Sequence, residues 1–491
     1  MKIPDYVLKI IKDLKASGYE AYIVGGCVRD FLMDKEPKDW DITTNARPEE
    51  ILKVFPTGKY ENDFGTVLLP IRDKADCSKT ENESDKKECL KDVIEITTYR
   101  SEQGYSDRRH PDEVRFEKEL DKDLERRDFT INALAMDPDE PENIVDLFGG
   151  RKDIKAKIIR AVGEPSDRFK EDALRMLRAI RFRSQLNFEL EPKTQRAIVK
   201  LAGSIKFISK ERIKDELIKI LSSDRPSEGI LLLQETKLLQ YILPELEQGI
   251  GVDQARHHVY PVFKHNILSL KYCPSPFWQV RFAALLHDVA KPKTKKIIDG
   301  IATFYNHEYV GAKIVDRIMT RLKFSNTDRE RVVNLVKNHM FYYNDKEVSA
   351  ASVRRLIVKV GRENLKDLID LRVADRLGSG TPKAMPYKLR HLEYMMEKVQ
   401  NDPVSVKMLK INGDDLMKVL NIAPGPKIGA ILDVLLGEVI EDPELNTSEI
   451  LQERARELDE FNLEELREKA KEVIEEKREA DDKEIKKQYK V

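Results

Sequence analysis

Long apolar runs and cysteines are scarce in this sequence, and each shortage excludes a class of protein. No stretch reaches the roughly 20 apolar residues that a membrane-spanning helix needs, so we expect no membrane partner. The four cysteines contain no CxxC pair and are too few for a disulfide scaffold. Cys77 and Cys89 lie within one polar segment, where two reduced thiols are favoured over a disulfide. Glycine and proline are not enriched, which argues against a fibrous or disordered chain.

A charge excess of one sign is also absent, since 87 Lys and Arg residues nearly balance 88 Asp and Glu residues. This balance does not exclude a nucleic-acid partner, because phosphate binding depends on local basic surfaces rather than on the sum. Residues 175–183 and 264–271 are basic clusters of that kind. The N-terminal segment has the pattern of an amphipathic helix and not of a cleavable signal, so we expect a cytoplasmic protein.

Apolar periodicity divides the chain into an alternating first part and a helical second part. A length of 491 residues predicts two to four domains. Up to about residue 150, helical patterns alternate with short β-branched segments that predict strands. From about residue 165, apolar residues recur at spacings of three and four, which predicts helices with one buried stripe each. The expected fold class is an α/β domain with a mixed sheet, followed by all-α domains.

The first constellation with chemical meaning is GGCVRD followed, nine residues on, by an Asp-Trp-Asp segment. Gly25 and Gly26 separate a predicted strand from a predicted helix, where the missing Cβ atoms let backbone approach a phosphate. Arg29 follows in the same turn. Alternate residues of a strand point the same way, so Asp39 and Asp41 are expected to present two carboxylates on one face. Such carboxylates repel each other unless a cation lies between them, and Mg²⁺ prefers oxygen ligands of this kind.

These motifs resemble the signature of the DNA polymerase β-like nucleotidyltransferase superfamily. The resemblance implies a third acid on a later strand, and Glu95 in IEITTYR occupies the matching position. Its role is left open among metal ligation, general base and structural orientation. The reaction implied is attack of an RNA 3′-hydroxyl on the α-phosphate of a nucleotide, with one metal ion activating the hydroxyl and a second neutralising the pyrophosphate.

The segment RRDFTINAL narrows the resemblance to the class II CCA-adding enzymes and the bacterial poly(A) polymerases. By that resemblance Arg127 holds the triphosphate, while Asp128 and Asn132 contact ribose hydroxyls. A salt bridge at a helix start accounts for Asp128 alone but not for the whole segment. The implied partners are tRNA, CTP and ATP.

The segment EDALR, which includes Glu171, Asp172 and Arg175, is expected to open a helix and matches the base-reading part of that family. A carboxylate accepts from the amino group of cytosine or adenine, and a guanidinium donates to the neighbouring ring nitrogen. Guanine and uracil present the reverse order, and each mismatched buried polar group costs about 1–3 kcal/mol. Arg178 and Arg181 continue the same helical row and are expected to bind phosphate or brace Asp172. The alternative for Arg181 is a contact to the tRNA backbone or a solvated charge.

Two further segments bear on the family comparison. Residues 100–116 match the flexible loop that accompanies the switch from C to A addition in this family, and an intact loop favours retained A addition. Residues 71–92 form a polar insertion that departs from the shorter family members, and we interpret it as a solvated excursion from a hairpin.

A second constellation of histidines and aspartates lies in the helical half of the chain. Each of its members lies on or at the end of a predicted helix, so helices are able to bring them around one cation such as Mn²⁺ or Ni²⁺. FAALLHDVAKP, NHEYVGAK and KNHM in this order resemble the HD phosphohydrolase superfamily. His307 is either an accessory ligand or the cap of a turn. The expected ligands are His265, His287, Asp288, His339 and Asp375.

Together the resemblances imply four domains: a catalytic head over 1–150, a base-reading neck over 151–245, an HD domain over 246–385 and a helical tail over 386–491. Addition of CCA to tRNA is the favoured function. The alternatives are a poly(A) polymerase or an A-adding enzyme, and, from another class, an HD phosphohydrolase with an RNA-binding N-terminal domain. The mixed, slightly acidic C-terminus favours CCA addition over a poly(A) polymerase. Oligomeric state is left open.

Overall fold

The structure is a computed structural model that describes residues 3–62, 65–72, 90–103, 113–254, 259–341, 349–381, 383–399 and 406–470. Its contacts divide the chain into two compact units, Met1–Glu247 and Gln248–Val491. The division falls close to the boundary predicted between neck and HD domain, while the finer division into four domains stays a prediction. Within the described ranges, no helix is both long and apolar enough to cross a membrane.

The first unit is built on a mixed seven-stranded sheet in the order β3-β4-β5-β2-β1-β8-β9. β2 and β5 run parallel, and the other neighbouring pairs are antiparallel. The strands are β1 Ala21–Val24, β2 Asp41–Thr44, β3 Lys59–Asn62, β4 Thr66–Arg72, β5 Leu90–Thr98, β8 Ala135–Met136 and β9 Ile144–Val145; a separate hairpin pairs β6 Arg100–Gln103 with β7 Glu113–Phe116. The predicted α/β fold with a mixed sheet is confirmed.

One face of this sheet is apolar and the other carries polar side chains, as the alternation of a strand requires. Ile23, Ile42, Ile94 and Ile96 are fully buried in one core with the apolar stripe of the first helix. The residues between them in sequence therefore point to the opposite face, where the candidate site lies. The helices of this part are α1 Asp5–Ala16, α2 Gly26–Leu32, α3 Pro48–Val54 and α4 Leu120–Glu125.

The rest of the first unit is mainly helical, and β10 Ile158–Ile159 pairs there with β11 Glu189–Leu190. Its helices are α5 Gly150–Ala156, α6 Pro165–Glu171, α7 Leu174–Leu186, α8 Pro192–Leu201, α9 Lys210–Leu221, α10 Pro226–Glu235, α11 Leu239–Ile242 and α12 Pro244–Glu247. α7 packs against both α9 and α10.

The second unit is helical in its described part except for the hairpin of β12 Lys296–Ile298 and β13 Ile301–Thr303. The helices are α13 Val262–Tyr272, α14 Trp278–Leu286, α15 Lys291–Thr294, α16 His307–Arg321, α17 Asn326–Asn338, α18 Ala350–Val360, α19 Leu365–Gly378, α20 Tyr387–Lys398, α21 Gly413–Leu420, α22 Pro426–Glu441 and α23 Ser448–Asp459. The last three share an apolar core, so the described residues of this part are helical, while a separate tail domain stays a prediction.

Several predictions fall partly outside those residues. β4 and β5 form the hairpin expected around the polar insertion, but residues 73–89, with Cys77 and Cys89, lie outside the described part. Residues 104–112, which belong to the loop matched to the switch from C to A addition, also lie outside the described part. Cys27 and Cys273 are buried free thiols.

Gly150, the first residue of α5, offers a test of how tightly that helix packs against residues 130–134. A Cβ atom at this position would lie 2.2 Å from the carbonyl oxygen of Thr130 and 3.0 Å from Leu134 Cδ2. We predict that Gly150→Ala lowers the free energy of unfolding by about 1–3 kcal/mol, the usual cost of overpacking. Denaturant unfolding would measure the loss. Gly203→Ala is the control in the same unit, since its Cβ would make an ordinary 3.6 Å contact with Tyr241 Oη; equal stability of the two variants would contradict the packing.

Candidate active site and metal centre

The turn between β1 and α2 brings a guanidinium and a carboxylate to one glycine. Gly25 precedes the helix with φ +81°, a conformation that favours glycine. A Cβ atom there would lie 3.1 Å from Arg127 Nη1 and 3.6 Å from Asp41 Oδ2. The sequence-predicted phosphate turn, acid and arginine therefore converge on one point.

The strand register places two acids side by side. Asp41 of β2 lies directly opposite Glu95 of the parallel strand β5, on the face away from the isoleucine core. Asp39 lies outside the strand, because β2 begins only at Asp41; it is exposed, while Trp40 between the two acids is buried in the core. The paired acids therefore come from a strand start and the bend before it, rather than from one strand as expected.

Burial and mutual repulsion both raise the pKa of these acids. Burial raises the pKa of the Asp41 carboxyl, and Asp39 adds to the rise against the nearby Arg127. Burial also raises the pKa of Glu95, and the carboxylates of Asp41, Glu61 and Asp39 add to it. These four carboxylates thus influence one another, and a divalent cation with oxygen ligands suits that donor set.

Asp123 holds the two arginines of the RRD segment. Its fully buried carboxylate accepts from Arg126 Nη2 at 2.6 Å and from Arg127 Nη2 at 2.9 Å. Burial opposes ionisation of Asp123, but the two guanidinium groups outweigh burial and lower its pKa to about 2. Asp123 is not among the residues that the sequence motifs indicated, although its position on α4, three and four residues before the two arginines, was the available signal.

The expected ribose-contacting residues are buried and already joined to one another. Asp128 Oδ2 accepts from Arg178 Nε at 2.6 Å, and Asp128 Oδ1 accepts from Asn132 Nδ2 at 3.4 Å. Asn132 Oδ1 in turn accepts from Arg29 Nη1 at 2.7 Å. Arg29 also pairs with Asp30 at 2.7 Å. Four of the predicted residues thus form one chain of contacts beside the glycine turn.

The base-reading segment does not open a helix as expected. Glu171 is the last residue of α6, Asp172 lies between the helices, and α7 begins only at Leu174. The carboxylate of Asp172 binds Arg212 of α9, while Arg175 donates to Glu171 Oε2 at 2.5 Å. Arg212 lies 40 residues from its partner, so no local pattern marked it.

Arg178 and Arg181, which we expect to bind phosphate or to brace Asp172, each pair with another acid in the structure. Arg178 pairs with Asp128, and the largely buried Arg181 lies 3.2 Å from Glu216 of α9. Burial lowers the pKa of Arg181 to about 10 despite Glu216. Phe182 is the hub of this region, with the guanidinium carbons of Arg29, Arg178 and Arg181 at 5.5, 5.6 and 4.4 Å from its ring centre. Ion pairing of these arginines argues against a free basic surface over 175–183.

The second unit brings together all five expected HD ligands and His307. They come from five helices or helix ends, as the sequence predicted. His265 and His287 place their Nε2 atoms 3.0 Å apart and 3.2 and 3.4 Å from Asp288 Oδ2. Asp375 Oδ1 lies 3.3 Å from His265 Nε2. This group has the donor set of a metal centre.

A second group shares Asp288. His307 Nε2 lies 3.2 Å from the other carboxylate oxygen, Asp288 Oδ1, and 3.3 Å from His339 Nε2. His307 is therefore a candidate ligand and not only the first residue of α16.

Backbone carbonyls fix which nitrogen each imidazole turns toward the centre. The Nδ1 atoms of His287, His307 and His339 lie 2.9, 2.8 and 2.7 Å from carbonyl oxygens, which only accept, so each Nδ1 carries a proton. The Nε2 atoms then face the carboxylates, the arrangement that second-shell carbonyls impose on metal-bound imidazoles. Burial lowers the pKa of His339 well below its usual range, and His287 and His307 add to the effect, so its Nε2 offers a lone pair.

Fold and site together define the class of nucleotidyltransferases with an appended HD domain, and comparisons with known proteins give the family. Residues 21–160 match the Poly A polymerase head domain, 187–250 the probable RNA and SrmB-binding site of polymerase A, and 276–379 the HD domain. The CCA-adding enzyme of Enterococcus faecalis is 33% identical over 90% of this chain and 93% of its own length. This chain belongs to the CCA-adding enzyme family of tRNA nucleotidyltransferases.

One further relative and one solved structure are also similar to this chain. An A-adding tRNA nucleotidyltransferase of Deinococcus radiodurans is 37% identical over 65% of this chain and 76% of its own length. The structure of the Bacillus stearothermophilus CCA-adding enzyme in complex with CTP is 28% identical, has a TM-score of 0.68, and covers 94% of this chain and 100% of that chain.

The Asp123 ion pairs predict a pH-dependent loss of stability. Asp123→Asn removes the charge between two guanidinium groups and should lower the free energy of unfolding by about 2–3 kcal/mol at pH 7. The folded pKa is about 2 and the unfolded value is about 4, so the stabilisation is complete above pH 4 and is lost as the pH falls toward 2. The difference between wild type and variant should be constant from pH 8 to 6 and shrink below pH 4, as measured by urea unfolding.

Asp167→Asn is the matched control, because this exposed acid pairs with exposed Lys170 and its replacement should cost less than about 0.5 kcal/mol. A loss in Asp123→Asn no larger than in this control would refute the role of Asp123.

Proposed function

We propose that the chain adds C and A to the 3′ end of tRNA from CTP and ATP by a two-metal reaction. The observation that carries the proposal is the register of Asp41 against Glu95 beside the Gly25 turn. Carboxylate oxygens meet there, and Mg²⁺ is held by such donors together with substrate phosphates. When bound at Asp39 and Asp41, two magnesium ions would supply activation of the 3′-hydroxyl and neutralisation of the pyrophosphate.

The residues around the acids divide the remaining work. Gly25 and Gly26 let the triphosphate approach backbone N–H groups at the start of α2. Arg127, held by Asp123 beside Asp41, contributes a fixed positive charge toward the phosphates. Asp128 and Asn132 are assigned to the ribose, and their bonds to Arg178 and Arg29 keep them in place before the nucleotide arrives.

Selection of C and A is assigned to Asp172 and Arg175. The carboxylate accepts from the amino group of the base, and the guanidinium donates to the ring nitrogen beside it. With guanine or uracil, the carboxylate would face a carbonyl oxygen and the guanidinium would face a ring N–H. Two polar mismatches therefore oppose the binding of these bases. Glu171, which holds Arg175, belongs to the same unit of recognition.

A single-nucleotide extension assay tests the transferase proposal against its rivals. With tRNA lacking its 3′ end, CTP should support two additions and CTP plus ATP three, after which growth stops. Long A-tracts would identify a poly(A) polymerase, and extension only of tRNA ending in CC would identify an A-adding enzyme.

Asp41→Asn should lower incorporation at least about 10³-fold, because a metal-holding charge is lost. Incorporation at the wild-type rate would favour an HD phosphohydrolase whose N-terminal domain only binds RNA.

A second function is favoured by the converging Nε2 atoms of the HD centre. We propose that this centre binds divalent metal, such as Mn²⁺ or Ni²⁺, and hydrolyses phosphate esters or 2′,3′-cyclic phosphates. His265 and His287 gather at one oxygen of Asp288, with Asp375 against both histidines. His307 and His339 gather at the other oxygen, so the donors fit two cation positions. Bound metal would supply Lewis acidity toward the phosphate. Lys291 Nζ, 2.6 Å from Asp288 Oδ2, adds a fixed charge for an anionic substrate.

Asp288→Ala should remove both metal and hydrolysis while leaving nucleotide addition intact. Metal content is measured by mass spectrometry after dialysis against Mn²⁺ or Ni²⁺, and turnover with a 2′,3′-cyclic nucleotide. Asp316→Ala, which alters an exposed acid of α16, should keep both. Turnover that survives in Asp288→Ala refutes the hydrolase, and equal metal content in all three proteins refutes the metal centre.

A further inference from the structure

The hairpin of β12 and β13 carries apolar side chains on its exposed surface. Ile297 is 73% exposed, Ile298 40% and Ile301 43%. The strand register sets Ile298 directly opposite Ile301, so their side chains lie on the same face of the hairpin. Three exposed isoleucines in one short hairpin differ from single apolar residues scattered over a surface, and such a patch indicates a binding surface.

The same face carries positive charge nearer the base of the hairpin. Lys296 lies two residues before Ile298 on β12, so strand alternation turns both side chains to one face. Lys296 is exposed, as is Lys293 in the preceding helix α15. Residues 291–301 contain four lysines and one acid, Asp299. The patch therefore combines apolar contact area with attraction for an anion.

Both ends of the hairpin are tied to the HD centre. Before it, Lys291 Nζ of α15 lies 2.6 Å from Asp288 Oδ2. After it, the carbonyl oxygen of Phe304 lies 2.8 Å from Nδ1 of His307, the first residue of α16. The Lys291 ammonium also lies 5.6 Å from the centre of the Phe304 ring. The hairpin is therefore fixed beside the candidate metal ligands.

An exposed aromatic ring lies between the hairpin and the centre in the chain. Tyr305 is 41% exposed and precedes the candidate ligand His307 by two residues. Thr303, two residues further back, pairs with Lys296 across the hairpin. From the centre outward the order is thus an aromatic ring, an ammonium group and the isoleucines. A single-stranded RNA matches this order, because its bases stack on aromatic rings and its phosphates pair with lysines.

We propose that this hairpin and Tyr305 form a platform for the single-stranded 3′ end of an RNA, whose terminal phosphate lies at the HD centre. The inference rests on the proposed hydrolysis of phosphate esters by that centre and names its substrate class. Tyr305 stacks on the terminal base, Lys293 and Lys296 pair with the preceding phosphates, and the isoleucines contact the next base. Pairing of the hairpin with that of a second copy is disfavoured, because it would bring the lysines of both copies together.

The first experiment compares kcat/KM of the Mn²⁺-loaded full chain for two cyclic esters. One is a short oligoribonucleotide ending in a 2′,3′-cyclic phosphate, and the other is glycerol 1,2-cyclic phosphate, which has neither a base nor a second phosphate. Tyr305→Ala should lower the ratio of the two values about 10-fold, because one stacked base is lost. Lys296→Gln should lower the ratio and reduce its logarithmic salt slope by about 0.7, the effect of one phosphate contact.

Two substitutions elsewhere in the second unit are the matched controls. Tyr272→Ala removes a ring of nearly equal exposure, 42%, at the last residue of α13. Lys366→Gln removes an exposed charge on α19. Both should keep the wild-type ratio and salt slope, and thermal melting checks that every variant is folded. If the chain turns over both esters and Tyr305→Ala and Lys296→Gln keep the wild-type ratio, the platform is overturned and the hydrolase stands. An equal fall in the controls would overturn the platform as well.

Photo-crosslinking tests the platform without turnover. An oligoribonucleotide with a 3′-terminal 4-thiouridine and a 3′-phosphate should crosslink within residues 293–305, as mapped by mass spectrometry, and Tyr305→Ala should lower the yield about 10-fold. Such crosslinks without hydrolysis would refute the hydrolase and support the platform, whereas crosslinks confined to other segments would overturn the platform. Dimers in sedimentation that Ile298→Lys dissociates would assign the patch to a second copy and would also overturn it.

Discussion

Like charges held together against their repulsion are the constraint on which this site depends. Asp41 and Glu95 are fixed opposite each other by the parallel pairing of β2 with β5, which the isoleucine core on the far face stabilises. Hydrophobic burial on one side of the sheet thus maintains an electrostatic conflict on the other. Asp39, on the bend before β2, adds to that conflict, and a cation is its natural resolution.

The same logic recurs in the other charged clusters. Arg127 and Arg126 are held by one buried acid, Asp123, so a positive charge remains beside the glycine turn after the acid is neutralised. In the HD centre, backbone carbonyls accept hydrogen bonds from the Nδ1–H groups, so that the Nε2 atoms gather at Asp288. Each cluster therefore concentrates charge or lone pairs, as functional sites commonly do.

Much of the fold and part of the site follow from local patterns. Strand alternation places Asp41 and Glu95 on the polar face, and the positive φ of Gly25 explains why glycine follows β1. The helical spacing of the second half puts the HD ligands on helices, because their neighbours form regular apolar stripes. Local pattern erred where helices meet: the segment with Asp172 reads as one helix start, but α6 ends and α7 begins there.

By itself, the sequence determined the class of fold, because fold class depends on apolar periodicities of two to four residues. It indicated the glycine turn, the acids and the histidine set through short motifs that resemble those of known families. Only the tertiary structure decided the partners of the charges. Asp172 meets Arg212 across 40 residues and Asp128 meets Arg178 across 50. The physical reason is that such pairs depend on how helices pack in three dimensions, and a short-range pattern does not encode which of several arginines on neighbouring helices approaches a given carboxylate.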